Sequence, residues 1–289
     1  VLGAALAPAD GSPWGDVVEA EPAERDSFEL AGPYAPRLSP NPRDNLVLRA
    51  RALLEEKLEA SLPPLRIRLE KRLPPCSGLG SSSASIVAAL VALNAVCGAR
   101  LPSSELLPLA GRAEGLAAGD GHLDNVAPCL LGGLRLVTSA GDAPRLPFPD
   151  DLRLVVVRPE LELATAQARA VLPRHVGLAL AVQHAGNLAC LVHALHAGDR
   201  ALLAASLRDL LAEPHRAALV PGFRAVQRAA LEQGALGASL SGAGPSLFAV
   251  AQADRAERVG TAMAGAFAAA GLAALSRVCR LDSQGARLE

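Results

Sequence analysis

Residues 74–85 read PPCSGLGSSSAS. Two glycines and five serines stand between a proline pair and an apolar run of helical period. That run, 83–98, is apolar nearly all round and stops at Gly98, which predicts a buried helix. The loop amides then include the unpaired N–H groups of a helix start, and these with the helix dipole favour an anion. Gly78 and Gly80 let the backbone approach a ligand closely. Ser81, Ser82 and Ser83 add hydroxyls that can donate to phosphate or ligate magnesium. A Gly/Ser stretch can equally be a flexible turn; the buried helix behind this one is what points to phosphate. It is not a Walker loop, which needs a lysine before its Ser/Thr, nor a dinucleotide fingerprint, which needs a third glycine where Ser83 sits. The G-x-S-x-G of a nucleophile elbow occurs neither here nor in GASLSG at 237–242.

The elements that must position this loop follow from periodicity. Residues 15–30 suggest strand and turn, 41–60 an amphipathic helix with Asp44 as its cap, and 65–73 a half-buried strand. A helix is expected at 103–115 despite Pro108, then a loop leading into another element at 120–133 and a strand at 134–139. AGDAPRLPFPDD (140–151) is rich in Pro, Gly and Asp and marks a domain boundary. Beyond it come a buried strand at 152–159, helices at 164–171, 178–197, 199–212 and 222–233, a strand at 246–251, a helix at 254–270 and a strand at 275–282. The mixture predicts an α+β fold with two layers in two domains, 1–148 and 149–289.

Bulk properties narrow the function. The chain has 289 residues, 51% hydrophobic, and a formal net charge of -1. No basic stripe favours nucleic acid or a membrane surface. Only Lys57 and Lys71 are lysines, so a catalytic lysine has two candidates. Five scattered cysteines read as free thiols in a reducing, cytoplasmic compartment. No apolar run is expected to reach bilayer length, and VLGAALA is too short and lacks the basic lead-in of a signal peptide. Apolar helices and low charge are compatible with a homodimer.

Two further stretches stand beside the loop: GHLDNVAPCLLGG (121–133) and SLSGAGPSLFAV (239–250). Together with Pro74 to Ala84, which fits P-x-x-x-G-L-G-S-S-x-A, they resemble the three motifs of the GHMP kinases, the family of galacto-, homoserine, mevalonate and phosphomevalonate kinases. The 121–133 stretch is most similar to the branch that phosphorylates L-homoserine, and ATAQARAVLP (164–173), AEPHRAALVPGF (212–223) and VCRLDSQGAR extend that likeness over nearly the whole chain. The resemblance implies the two-domain GHMP kinase fold. Its N-terminal domain is S5-domain-2-like, with the phosphate loop on a left-handed β-α-β crossover, and its C-terminal domain is ferredoxin-like. It also implies that a strand and loop carrying a substrate-facing Asn and Asp precede Val1, so part of the amino-acid site is expected to be missing. Cys76 and Ser83 depart from the pattern, where glycine or alanine is commoner.

By the same resemblance, ATP lies on Pro75, Cys76, Ser77, Gly78, Leu79, Gly80, Ser81, Ser82, Ser83, Ala84 and Ser85, and Mg2+ on Ser82 and Glu114. Homoserine is a zwitterion whose carboxylate calls for an arginine fork and whose ammonium calls for a carboxylate. Arg169 and Arg216 match the first role and Asp124 the second, with His122, Asn125 and Thr165 beside them. Ser82, Glu114, Asp124 and Arg169 are the expected catalytic set. The remaining histidines, His193 and His196 among them, read as helix surface or packing. The general base is open between Asp124, the upstream Asp and none; direct loss of the alcohol proton to the phosphate is favoured. A kinase for another small alcohol and a non-catalytic metabolite binder are the alternatives.

Overall fold

The computed structural model describes residues 1–39, 41–118 and 123–289. The chain opens with two short strands, β1 (Leu2–Ala4) and β2 (Leu6–Pro8), then β3 (Val17–Pro22) and β4 (Ser27–Ala31). Helix α1 (Leu46–Leu58) leads to β5 (Leu65–Glu70). Its cap is Asn45, whose side chain accepts from the Val47 N–H, not Asp44, which lies in a preceding 3-10 turn. β5 pairs parallel with β4 through the α1 crossover and antiparallel with β3. The phosphate loop follows β5 and opens into α2 (Ser81–Val96); α3 (Ser103–Ala118) and α4 (Leu123–Leu131) complete the layer. Leu65, Ile67 and Leu69 of β5 pack with Leu54, Leu90, Leu106 and Val126 in a core made by α1 to α4 over this sheet.

β6 (Leu134–Leu136) pairs with β1 and with β7 (Arg145–Leu146) in a small antiparallel sheet. The rest of the chain supplies β8 (Leu152–Pro159), α5 (Thr165–Ala170), α6 (Leu178–Ala197), α7 (Arg200–Ser206), α8 (Glu213–Arg216), α9 (Phe223–Glu232), β9 (Gly237–Leu240), β10 (Leu247–Gln252), α10 (Ala256–Ala269) and β11 (Ala274–Leu281). β8 to β11 lie antiparallel in the order β11-β8-β10-β9, with helices following β8 and β10, which is the ferredoxin-like arrangement. Phe223, Val226, Met263 and Phe267 of α9 and α10 cover one face of this sheet. α7 ends at Ser206, well short of the expected 212: the Asp209 carboxylate accepts the amides of Leu211, Ala212 and Glu213 and starts a new turn.

The two halves are interleaved. β2 adds to the outer edge of β11, with Leu6 opposite Leu281. The segment after β11 runs back over the first half, where Asp282 O accepts the Gly133 N–H at 2.6 Å and the Ala286 N–H bonds Cys129 O at the end of α4 at 2.8 Å. Gly132 and Gly285 meet so closely that a Cβ on Gly285 would lie 2.5 Å from Gly132 N. A third apolar cluster, including Leu134, Leu154, Val156 and Leu195, joins the halves and takes in Leu79 of the phosphate loop.

A further expectation fails. α6 has 20 residues with a mean hydropathy of 1.4, long and apolar enough by composition to cross a membrane. The cause is a run of Ala and Leu with no Asp, Glu, Lys or Arg. The helix is anchored in the fold by Ala194 and Leu195, which are buried in the joining cluster.

Candidate active site

A cleft of about 2730 Å³ runs between the halves, with the phosphate loop on one wall. Gly80 is the N-cap of α2 at φ 65°; lacking a side chain, it leaves the amides of the first turn uncapped by it and open to an anion. Gly78, at φ 76°, makes a close approach: a Cβ there would stand 2.3 Å from Ser241 O and 2.8 Å from Gly244 O. The Ser241 hydroxyl donates to Gly78 O at 2.7 Å, and the Ser246 N–H reaches Ser77 O at 3.3 Å. The loop at 239–250 is thus folded against the phosphate loop. Cys76 holds a left-handed φ of 54° without being glycine.

The three serines divide their work. Ser81 turns inward to Leu73 O at 3.0 Å, and Ser83 donates to Glu114 Oε2 at 3.1 Å. Ser82 alone of the three lines the cleft. The expectation that all three hydroxyls face a ligand is therefore corrected: two are engaged in holding the helix start. Glu114, on α3, also lines the cleft. Ser82 and Glu114 both line the cleft and carry oxygen donors of the kind magnesium takes, an ion that keeps several waters and also takes phosphate oxygens. Among the described residues no group of three His, Cys, Asp or Glu could hold a metal by itself.

The first turn of α4 sits against the loop. The Asn125 side chain is the nearest group to Gly80, with Oδ1 3.5 Å from where a Cβ would be. Asp124 lines the cleft, and its Oδ1 is buried with no hydrogen-bond partner among the described residues. A buried carboxylate oxygen left in that state calls for a donor. His122 lies outside the described residues. Thr165 and Arg169 of α5 line the cleft, as does Arg216 at the end of α8. Arg216 Nε donates to Ala168 O at 3.0 Å and Nη1 to Gly242 O at 3.1 Å, bracing α5 against the second glycine loop. Burial holds its pKa below the ordinary arginine range; Asp209 opposes that and nearby Arg169 adds to it. Behind Glu114, the Cys129 thiol is pushed up to about 12 by burial and then by the charges of Asp16, Asp282 and Glu114.

The structure also brings in residues that the motifs do not contain. Asp16 and Lys71 form a buried ion pair directly beneath the loop. Lys71 had a signal: in LRIRLEK the alternation that buries Leu65, Ile67 and Leu69 puts Lys71 on the same face. Asp16 had none that is local. Ser241 lies within the 239–250 motif but carries no signal of its own there.

An uncapped helix start that two glycine loops enclose, with hydroxyl and carboxylate side chains lining the same cleft, fits a phosphotransferase. The model of the GHMP kinases N terminal domain matches residues 45–133 and that of the GHMP kinases C terminal domain residues 191–269. The crystal structure of a homoserine kinase from Cytophaga hutchinsonii is 37% identical, covering 99% of this chain and 90% of that one, with a TM-score of 0.91. A putative homoserine kinase from Listeria monocytogenes is 25% identical, covering 93% and 87%, with a TM-score of 0.67. A mevalonate kinase from L. major shares the fold, with 18% identity and a TM-score of 0.64 over 94% of this chain and 87% of that one. The chain belongs to the GHMP kinase family and is a kinase.

Proposed function

We propose that this kinase transfers the γ-phosphoryl group of ATP to the side-chain hydroxyl of L-homoserine, giving O-phospho-L-homoserine and ADP on the way to threonine. The observation that carries the reading is the buried Asp124 Oδ1, without a hydrogen-bond partner among the described residues, one residue from Asn125, whose side chain lies beside Gly80 of the phosphate loop. A carboxylate so placed binds an ammonium group within reach of the transferred phosphate. The arginines Arg169 and Arg216 line the same cleft and suit the substrate carboxylate. The 37% identity to a homoserine kinase supports the same substrate.

The chain's part in the reaction is positioning and charge neutralisation. The loop amides and the α2 dipole hold the β- and γ-phosphates. Ser82 and Glu114 hold Mg2+, which when bound offsets phosphate charge as it shifts to the leaving ADP. The substrate hydroxyl oxygen forms the new P–O bond, the bond to the β-phosphate oxygen breaks, and the hydroxyl proton passes to the transferred phosphate. Asp124, engaged with the ammonium, is then a binding group and not the base. All five cysteines are free, which supports a reducing cytoplasmic setting.

The test is ADP release in a coupled assay with Mg-ATP and, in turn, L-homoserine, mevalonate and galactose. Turnover with homoserine at a kcat/KM at least about tenfold above the other alcohols is expected. Preference for another alcohol would overturn the reading.

A further inference from the structure

Lys71 and Asp16 are 2% and 0% exposed. Lysine is almost never so buried unless paired, and a buried ion pair is often no more stabilising than apolar residues of the same volume. Stability alone is therefore a poor account of this one, and the bonds around it suggest another.

Among the described residues, every side-chain hydrogen bond of the pair other than its own ion bridge goes to one end or the other of the phosphate loop. At the entry, Asp16 Oδ1 accepts the amides of Arg72 at 2.9 Å and Leu73 at 3.0 Å, just before Pro74. At the exit, Lys71 Nζ donates to Ser81 O at 2.7 Å and Ser85 Oγ at 2.9 Å in the first turn of α2. The Ser85 hydroxyl donates onward to Asp16 Oδ2 at 2.6 Å, and the Ser81 hydroxyl ties the two ends together through Leu73 O. The Lys71 backbone is itself fixed, its N–H on Ala31 O at 2.7 Å and its C=O receiving the Tyr34 N–H. Gly32 lies against it so closely that a Cβ would be 2.7 Å from Lys71 N.

We propose that Lys71, Asp16 and Ser85 are positioning residues that clamp the two ends of the phosphate loop and thereby set its affinity for the nucleotide's phosphates. Lys71 does not need to reach the nucleotide. It holds the first turn of α2 where the amides of 81–83 converge, and its bonds to the Ser81 carbonyl and the Ser85 hydroxyl leave those amides for the ligand. The burial that lowers the Lys71 pKa is opposed mainly by Asp16, so the pair stands or falls together.

The proposal rests on the loop being the nucleotide site, and ADP binding by the unaltered chain checks that separately. Ser85→Ala removes the hydroxyl through which Asp16 reaches α2 and one of the two bonds of Lys71 to that helix, while leaving the ion pair and the Lys71 bond to Ser81 O. Titration calorimetry with Mg-ADP should show affinity about fivefold to tenfold weaker, and the KM for ATP should rise by a similar factor. The KM for homoserine should change by less than about twofold. The double substitution Asp16→Asn with Lys71→Met removes both charges at once and should weaken ADP binding further. Ser85→Thr, which restores a hydroxyl, should recover binding. If Ser85→Ala only lowers the melting temperature while ADP affinity and both KM values stay put, the pair is structural and the proposal is wrong. Ser85→Ala alone decides the matter if the double variant does not fold.

Discussion

Replacing Gly78 by alanine tests whether the two glycine loops are held in register by bare backbone. The new Cβ would stand 2.3 Å from Ser241 O and 2.8 Å from Gly244 O, both main-chain atoms that cannot rotate away. Ordinary contact needs roughly 1 Å more, so the loops must part by about that much, and a shift of this size at a reacting centre can cost about a hundredfold in rate. The left-handed φ of 76° adds about 1–2 kcal/mol of backbone strain, and overpacking adds roughly 1–3 kcal/mol. Gly80→Ala is the internal control. Its φ of 65° brings the same strain, but the nearest atom, Asn125 Oδ1, would be at an ordinary 3.5 Å. Urea denaturation of both variants should therefore show Gly78→Ala less stable than Gly80→Ala by about 1–3 kcal/mol, the steric part alone. The coupled ADP assay should show kcat/KM for Gly78→Ala lower by about two orders of magnitude than the unaltered chain. Equal stability losses for the two variants would refute the close packing of the loops.

Asp124→Asn should raise the homoserine KM by about tenfold to a hundredfold, the value of a charge-assisted bond, and lower kcat by less than about threefold; collapse of kcat with KM intact would make Asp124 the base. Cys76→Gly relieves a left-handed φ of 54° but returns freedom to the unfolded chain, so a gain of up to about 1 kcal/mol in a thermal melt is expected, and a loss would contradict the strain. Cys129 and Cys279, whose thiols burial pushes up to about 12, stay protonated at neutral and mildly alkaline pH. Mass-spectrometric mapping after iodoacetamide at about pH 8 should find label on exposed Cys76 and Cys190 first; equal early labelling of Cys279 would contradict its burial.

The phosphate loop was legible because its function lies in backbone amides, and glycine next to a buried helix is the mark of exposed backbone. The long elements were legible from length and composition: 178–197 is a long run rich in Ala and Leu, and 152–159 a short apolar run rich in Val. The shortest strands were not, since β1 and β2 have three residues each and owe their form to partners more than 100 residues away. The end of α7 was hidden because Asp209 supplies by its side chain the acceptors that would otherwise come from helix carbonyls. Serine identity could be read at 81–83, but not which hydroxyl faces the ligand; that depends on Leu73 O and Glu114, groups from other elements. Asp16 is the limiting case, a carboxylate whose partners Lys71, Arg72, Leu73 and Ser85 all lie 55 or more residues on.

The exchange of β2 and the 282–286 segment between the two halves has a consequence for dissection. A cut in the Pro- and Gly-rich stretch at 140–151 divides the chain between its two halves, yet neither product would be a module. The first would keep a strand that belongs to the second's sheet, and the second would carry away the segment that closes the end of α4, the helix bearing Asp124. Mixed, the pieces should behave as complementing fragments that regain activity only as a pair. In the intact chain, the end of the helix that bears Asp124 is completed by residues made some 150 positions later.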